Sequence, residues 1–236
     1  PQAGNIPGGK RDVLRSAAFN DGTTEGFFVD SGDFSVSGGA LQVSASSLGK
    51  DAVSVYQIGD ALPAYFEVQA SILAIKPTGG WKANSYVMFD YWGPNDFKFA
   101  GIDVSTNKMV MGHRDASGWH VAAQAAVPGG VKADTYYNVL LAVNGLNATL
   151  VFNNKNLFTY TFKPRVVEGY SYGLNGGLVG VGSDNARGEF DNIRVQILPP
   201  EITFENTEDF SDGTADLFSG GMTGVWSVAG QGQNRS

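Results

Sequence analysis

Apolar and polar residues alternate in short runs along this chain, most clearly between Ala83 and Gln124. That stretch reads ANSYVMFDYWGPNDFKFAGIDVSTNKMVMGHRDASGWHVAAQ. It divides into four runs, Ser85–Tyr91, Phe97–Val104, Lys108–Arg114 and Trp119–Gln124, broken by WGPND, STN and DASG. The breaks are turn chemistry: Gly and Asn accept positive φ, Pro presets its own φ, and Asp and Ser bond their local backbone. The runs are rich in Tyr, Val, Phe, Ile and Trp, which suit a pleated, half-buried surface. Within Phe97–Val104, Phe97, Phe99, Gly101 and Asp103 share one face, and Lys98, Ala100, Ile102 and Val104 the other. Both faces carry apolar groups, as in a sheet covered on one side and partly filled on the other. Four strands joined by tight turns predict an antiparallel meander.

The same grammar extends in both directions. Phe34–Val36, Ala40–Val43, Val53–Gln57 and Tyr65–Ile75 read as strands before the meander, with IKPTGGWKAN as a loop. Tyr136–Val143, Ala148–Phe152 and Leu157–Phe162 follow it, with turns at 144–147 and 153–156 rich in Asn and Gly. Gly176–Val181 and Glu189–Ile197 close the set. No segment keeps apolar residues at helical spacing over three turns, so no long helix is predicted. About a dozen short strands with frequent turns predict an all-β fold, a two-sheet antiparallel sandwich.

Residues 1–14 read as an N-terminal linker, 15–198 as the sandwich, and 199–236 as a second linker followed by something familiar. Pro199 and Pro200 cannot donate to a ladder and mark a strand end. Beyond them, Phe210-Ser-Asp-Gly-Thr214 repeats Phe19-Asn-Asp-Gly-Thr23, and Gly224-Val-Trp226-Ser-Val228 repeats Gly32-Asp-Phe34-Ser-Val36. The offsets are 191 and 192 positions, a near-constant register. This predicts a tandem array, one full unit and the truncated opening of the next. The chain begins at Pro1 without a charged-then-apolar leader, and we read it as a piece of something longer.

Composition narrows the classes. At 236 residues the chain can bury its own core. A net charge of −7 with no basic block argues against nucleic acid as a partner. No apolar run of about 18 residues occurs, so no inserted membrane helix is predicted. The absence of Cys removes disulfides, thiolate metal sites and Cys nucleophiles.

Four segments together resemble the concanavalin A-like, laminin G-like jelly-roll superfamily. They are FNDGTTEGF…DFSVSGGALQVS, the central meander, YNVLLAVNGLNATLVFNN and GLVGVGSDNARGEFDNIRVQ, covering roughly Ala18 to Gln196. The resemblance is to the variety repeated in very large exported bacterial surface proteins. It implies an extracellular or cell-surface location. It includes lectins, adhesion modules, glycosidases and spacers, so fold alone does not fix activity.

Candidate chemistry falls in three groups. Glycosidases of this fold set two carboxylates at alternating positions of one strand, facing one cleft. Here only Glu189 and Asp191 are so spaced, and nearby Arg187 and Arg194 predict ordinary ion pairing instead. His113 and His120 stand beside no nucleophile elbow and read as surface histidines, so no enzyme is predicted. Asp21 and Asp191, with Asn192, lie near the first and last strands, where oxygen ligands would suit a structural Ca²⁺. For glycans, Trp81, Tyr91 and Trp92 offer aromatic faces, and Asn95 and Asp96 offer polar groups. His113, Arg114 and Trp119 form a second cluster of this kind. The triplets at 147–149 and 234–236 match the N-glycosylation pattern, which in a bacterial protein is ordinary chance.

The reading that follows is a non-catalytic repeat module giving reach and attachment. Its partners would be neighbouring repeats, other copies of the same protein, or cell-surface glycans. The alternative is a lectin-like carbohydrate-binding module, with a glycoside-cleaving enzyme behind it. The tail, 201–236, holds too few strands for a core and would be disordered, docked or paired with another chain.

Overall fold

The computed structural model of the protein describes residues 6–199 and Ser211. Among them the chain forms seventeen strands and no helix. Five short ones come first: β1 (Asp12–Ala17), β2 (Phe27–Ser31), β3 (Asp33–Ser37), β4 (Ala40–Ser44) and β5 (Asp51–Tyr56). The long β6 (Tyr65–Ala74) leads into β7 (Asn84–Gly93), β8 (Asp96–Asp103), β9 (Lys108–Asp115) and β10 (Gly118–Ala125). Then come β11 (Tyr137–Asn144), β12 (Asn147–Phe152) and β13 (Lys155–Thr161), and the small hairpin β14 (Arg165–Val167) and β15 (Tyr170–Tyr172). β16 (Leu178–Asp184) and β17 (Arg187–Ile197) complete the domain.

Two large antiparallel sheets result. One runs β13-β12-β11-β6-β17-β4-β3, with β1 also on β17; the other runs β10-β9-β8-β7-β16-β5-β2. The predicted meander is a row of consecutive neighbours, β7 to β10, in one sheet, and the later set of three strands, β11 to β13, forms such a row in the other. The turn between β7 and β8 is only Pro94–Asn95, and that between β9 and β10 only Ala116–Ser117. Crossings between the sheets range from the single Gly32 between β2 and β3, and Asn185–Ala186 between β16 and β17, to the eleven residues between β10 and β11. The side chains between the sheets form one core, with Leu41, Phe66, Ile72, Phe89, Ile102, Met109 and Phe190 all but sealed from water.

The alternation along β8 divides as its letters predict. Ala100 and Ile102 enter the inter-sheet core, whereas Phe97 and Phe99 lie on the opposite face. There they join Tyr86, Met88, Val110 and Val53 in a second apolar layer. Trp119 of β10 lies across it, its ring 4.9 Å from Phe99 and 5.3 Å from Phe97 between centroids. Gly112 allows this. A Cβ there would collide with the His120 carbonyl and the Phe99 ring.

Three boundaries differ from those expected. The linker assigned to 1–14 overlaps β1, which begins at Asp12 and pairs with β17. Alternation is weak there, because β1 pairs along part of one strand only. β2 has no clear alternation in the sequence, since Phe28 and Val29 are both exposed. The hairpin of β14 and β15 is too short to carry a periodic signal. The second copy of the repeated motifs and the fate of the tail lie outside the described residues, apart from Ser211.

Candidate functional site

The β7–β8 and β9–β10 hairpin ends and the segment from β13 into β14 leave a cleft of about 440 Å³ at one end of the sandwich. Its walls include Asp90, Asp96, Lys98, His113, Asp115, Tyr160, Phe162, Lys163 and Arg165. Asp90 organises the floor. It sits where β7 and β8 lose register, with φ of 49°, and is 3% exposed. Its carboxylate accepts from Trp92 Nε1 at 2.8 Å, Lys98 Nζ at 2.6 Å and the Gly177 amide at 3.0 Å. Gly177 must be Gly, because a Cβ would stand 2.5–2.8 Å from the Asp90–Tyr91 backbone. The Lys98 ammonium also donates to Asn175 and lies 4.8 Å from the Phe162 ring centre.

The Trp92 indole is thus tethered from below while its ring remains 52% exposed. On the ring lies Arg165, its guanidinium carbon 4.7 Å from the ring centroid, and Arg165 in turn pairs with Asp96. Arg165 and Tyr172 are cross-strand partners, and Val167 pairs with Tyr170, so these four share one face of the hairpin. Tyr172 and Tyr170 are both exposed. The arrangement offers aromatic faces beside charges of both signs, which is what a polar ring with one apolar face requires.

On the wall formed by β9 and β10, His113 and His120 are cross-strand partners with rings stacked at 5.0 Å. Asp115 accepts from the Ser117 hydroxyl at 2.6 Å and amide at 2.8 Å, and lies 3.1 Å from His120 Nε2. The Ser117 hydroxyl, then its amide, then His120, hold the Asp115 carboxyl well below the usual range.

Of the residues predicted from sequence, Trp92 and Asp96 enter this assembly and Asn95 lies in its turn. Tyr91 turns to the other face of the sheet, where it stacks on Phe97. Burial, then a hydrogen bond to Asp30, push its hydroxyl pKa up. Trp81 is at the other end of β7, about 30 Å away at 3.3 Å per residue. There Arg187 covers its ring at 5.2 Å. The second cluster is split by strand alternation. Arg114 and Trp119 are cross-strand partners that both bond Asp51, whereas His113 pairs with His120 on the opposite face of the hairpin.

Asp21 accepts from the amide and hydroxyl of Thr23, and Asp191 from the amide and side chain of Asn192. Among the described residues no hydrogen bond or ion pair joins Asp21 to Asp191 or Asn192. The ion pairing expected at Glu189 and Asp191 is absent among the described residues. Glu189 accepts from Tyr136 at 2.6 Å instead, and Arg187 donates to Thr78. Asp90, Lys98, Arg165, Tyr170 and Tyr172 were not singled out from sequence. The Tyr-Ser-Tyr alternation at 170–172 was the one local signal for the last two.

No family model and no curated protein sequence matches the chain. Solved structures do. The carbohydrate-binding module CBM66 from Bacillus subtilis superposes with a TM-score of 0.58 at 14% identity, over 72% of this chain and 95% of its own. The exoplasmic/lumenal domain of VIP36, in a form bound to Ca²⁺ and Man3GlcNAc, gives 0.55 at 8% identity, over 83% and 93%. A Bacillus subtilis protein of unknown function with a galectin-like fold gives 0.53 at 12%, over 79% and 97%. The fold is the concanavalin A-like jelly roll. The likeness is one of fold. The jelly roll occurs among these structures in a carbohydrate-binding module and a sugar-bound lumenal domain. It also occurs in the GH43 protein BlXynB of Bacillus licheniformis, where the match covers 42% of that chain at a TM-score of 0.54.

Proposed function

We propose that this jelly roll is a non-catalytic carbohydrate-binding module that seats a glycan at its cleft end. The observation that carries the reading is Trp92: a half-exposed indole, anchored through Nε1 to buried Asp90 and backed by Arg165. An aromatic ring held in place loses little freedom when a sugar stacks on it. Tyr172 and Tyr170 extend the aromatic row along the hairpin, and Asp96 and Lys163 supply polar contacts at the rim. The known sugar-binding members of the fold support the reading. So does the state of the carboxylates: Asp90, Asp96 and Asp115 are each held by a cation, an imidazole or a hydroxyl, which suits positioning rather than proton transfer.

The test is a glycan array with the whole chain, followed by calorimetry on the hits. Trp92→Ala should lower affinity about tenfold or more, equivalent to about 1.4 kcal/mol, with an unchanged circular dichroism spectrum. Affinity retained by that variant rejects the site. Release of reducing sugar from a bound polysaccharide rejects the non-catalytic assignment.

The motif Phe-x-Asp-Gly-Thr, present at 19–23 and again at 210–214, favours a setting for this module. In an array of such units on an exported surface protein, weak sites add through effective concentration. Further copies in the full-length reading frame would bear this out, and their absence would remove it.

A further inference from the structure

The chain holds two histidines in 236 residues and no cysteine. Both histidines stand opposite each other on one hairpin, with a carboxylate between them. We propose that His113, Asp115 and His120 form a binding site for a divalent transition ion of the zinc class, on the cleft wall but independent of the glycan reading.

The geometry carries this. His113 and His120 are direct partners across β9 and β10, and Asp115 lies two residues beyond His113 on the same face. The two-residue turn at Ala116–Ser117 fixes that register. His120 Nε2 is 3.1 Å from one Asp115 oxygen, and His113 Nε2 is 3.8 Å from the other. One ligand atom from each residue lies within 4.8 Å of the other two. Around a tetrahedral zinc with bonds of about 2.0–2.1 Å, neighbouring ligand atoms stand about 3.4 Å apart. Small rotations of the two rings therefore suffice, and the strands need not move.

The donor set decides the ion class. Two imidazole nitrogens and one carboxylate oxygen favour zinc, nickel or copper over calcium, which takes six or more oxygens. The hairpin register sets the two imidazoles side by side, 5.0 Å apart, with Asp115 within reach of both. All three residues remain nearly half exposed, so an ion can enter and a water can fill the fourth position. Ser117 Oγ, 2.8 Å from His120 Nε2 and 2.6 Å from Asp115 Oδ1, is displaced from the imidazole when the metal enters, and keeps the carboxylate oriented. The same hairpin wall lines the glycan cleft.

The whole chain, without a histidine tag, is titrated with zinc by calorimetry in the absence of glycan. Saturable binding of a single zinc per chain is expected, with calcium failing to compete. His113→Gln and His120→Gln should each weaken it about tenfold or more, while Asp33→Asn on the distant β3 leaves it unchanged. Nuclear magnetic resonance of the imidazoles should show both rings shifting together as zinc is added. The inference is overturned if zinc produces no saturable binding, or if both histidine variants bind it as tightly as the parent. Zinc affinity is read without sugar, so its failure leaves the Trp92 site standing, and the reverse.

Discussion

Asp90 shows how much one residue can settle. Asp is uncommon in a strand, and here, with a positive φ, its carboxylate lies buried against an indole, an ammonium and an amide. Removing it leaves Lys98 close to buried with no counter-charge and releases Trp92. Asp90→Ala should therefore cost about 3 kcal/mol, read as a lower urea midpoint, and should weaken glycan binding along with stability. Trp92→Ala should weaken binding while leaving the midpoint nearly unchanged. Identical midpoints for the parent and Asp90→Ala would show that the buried pair stabilises nothing. Trp92 and Asp96 are legible in the sequence because exposed aromatics next to turn residues are a local property. Trp81 groups with them in the letters because distance along a strand direction is not visible until the strand is placed.

At the scale of elements, two features explain letters that alternation does not. The motif Phe19-Asn-Asp-Gly-Thr23 is a turn whose Phe19 ring, buried, packs on Phe27 at 5.7 Å. Asp21 ties Thr23, and Gly22 takes φ of 77°. Each conspicuous letter has a job within the turn, which accounts for Asp21 without any ion. The second feature is on β6, which is paired on both sides. Glu67 is 1% exposed, yet Arg11 reaches it at 2.7 Å, Tyr65 at 2.5 Å and Gln196 at 2.6 Å. Burial pushes the Glu67 pKa up, but the donors of Arg11, Tyr65 and Gln196 together outweigh it and leave it lowered. A carboxyl with a lowered folded pKa contributes stability above its unfolded value of about 4.3 and loses it as pH falls through the folded one. Arg11→Ala leaves burial opposed by fewer donors. It should cost on the order of 2–3 kcal/mol at pH 7, and the gap to the parent should close as pH is lowered to about 3. Urea unfolding of both proteins at the two pH values measures it. A gap that stays constant with pH would sink the assignment.

For the molecule as a whole, every strand and the entire inter-sheet core among the described residues lie before Pro200. The chain divides there into units 1–199 and 200–236. A chain ending at Pro199 should thus unfold in a single cooperative transition followed by circular dichroism, and should keep the glycan affinity of the full chain. Loss of cooperative unfolding would mean that residues beyond 199 complete the domain.

Period-two alternation and turn letters are local, and a strand with one buried face must show them. For that reason the chain's letters alone determined the all-β class, the meander, the later set of three strands, their turns and the jelly-roll resemblance. They also marked Trp92 and Asp96 as candidates. Side chains far apart in sequence meet only when two sheets close on each other. Only the tertiary structure therefore brought Arg165 onto Trp92, separated Trp81 and Tyr91 from it, and seated Asp90 under Lys98. It also turned His113 and His120 toward a common carboxylate, although the letters suggest surface histidines and, for His113, a glycan cluster with Arg114 and Trp119, because the register of one hairpin decides which side chains stand opposite each other.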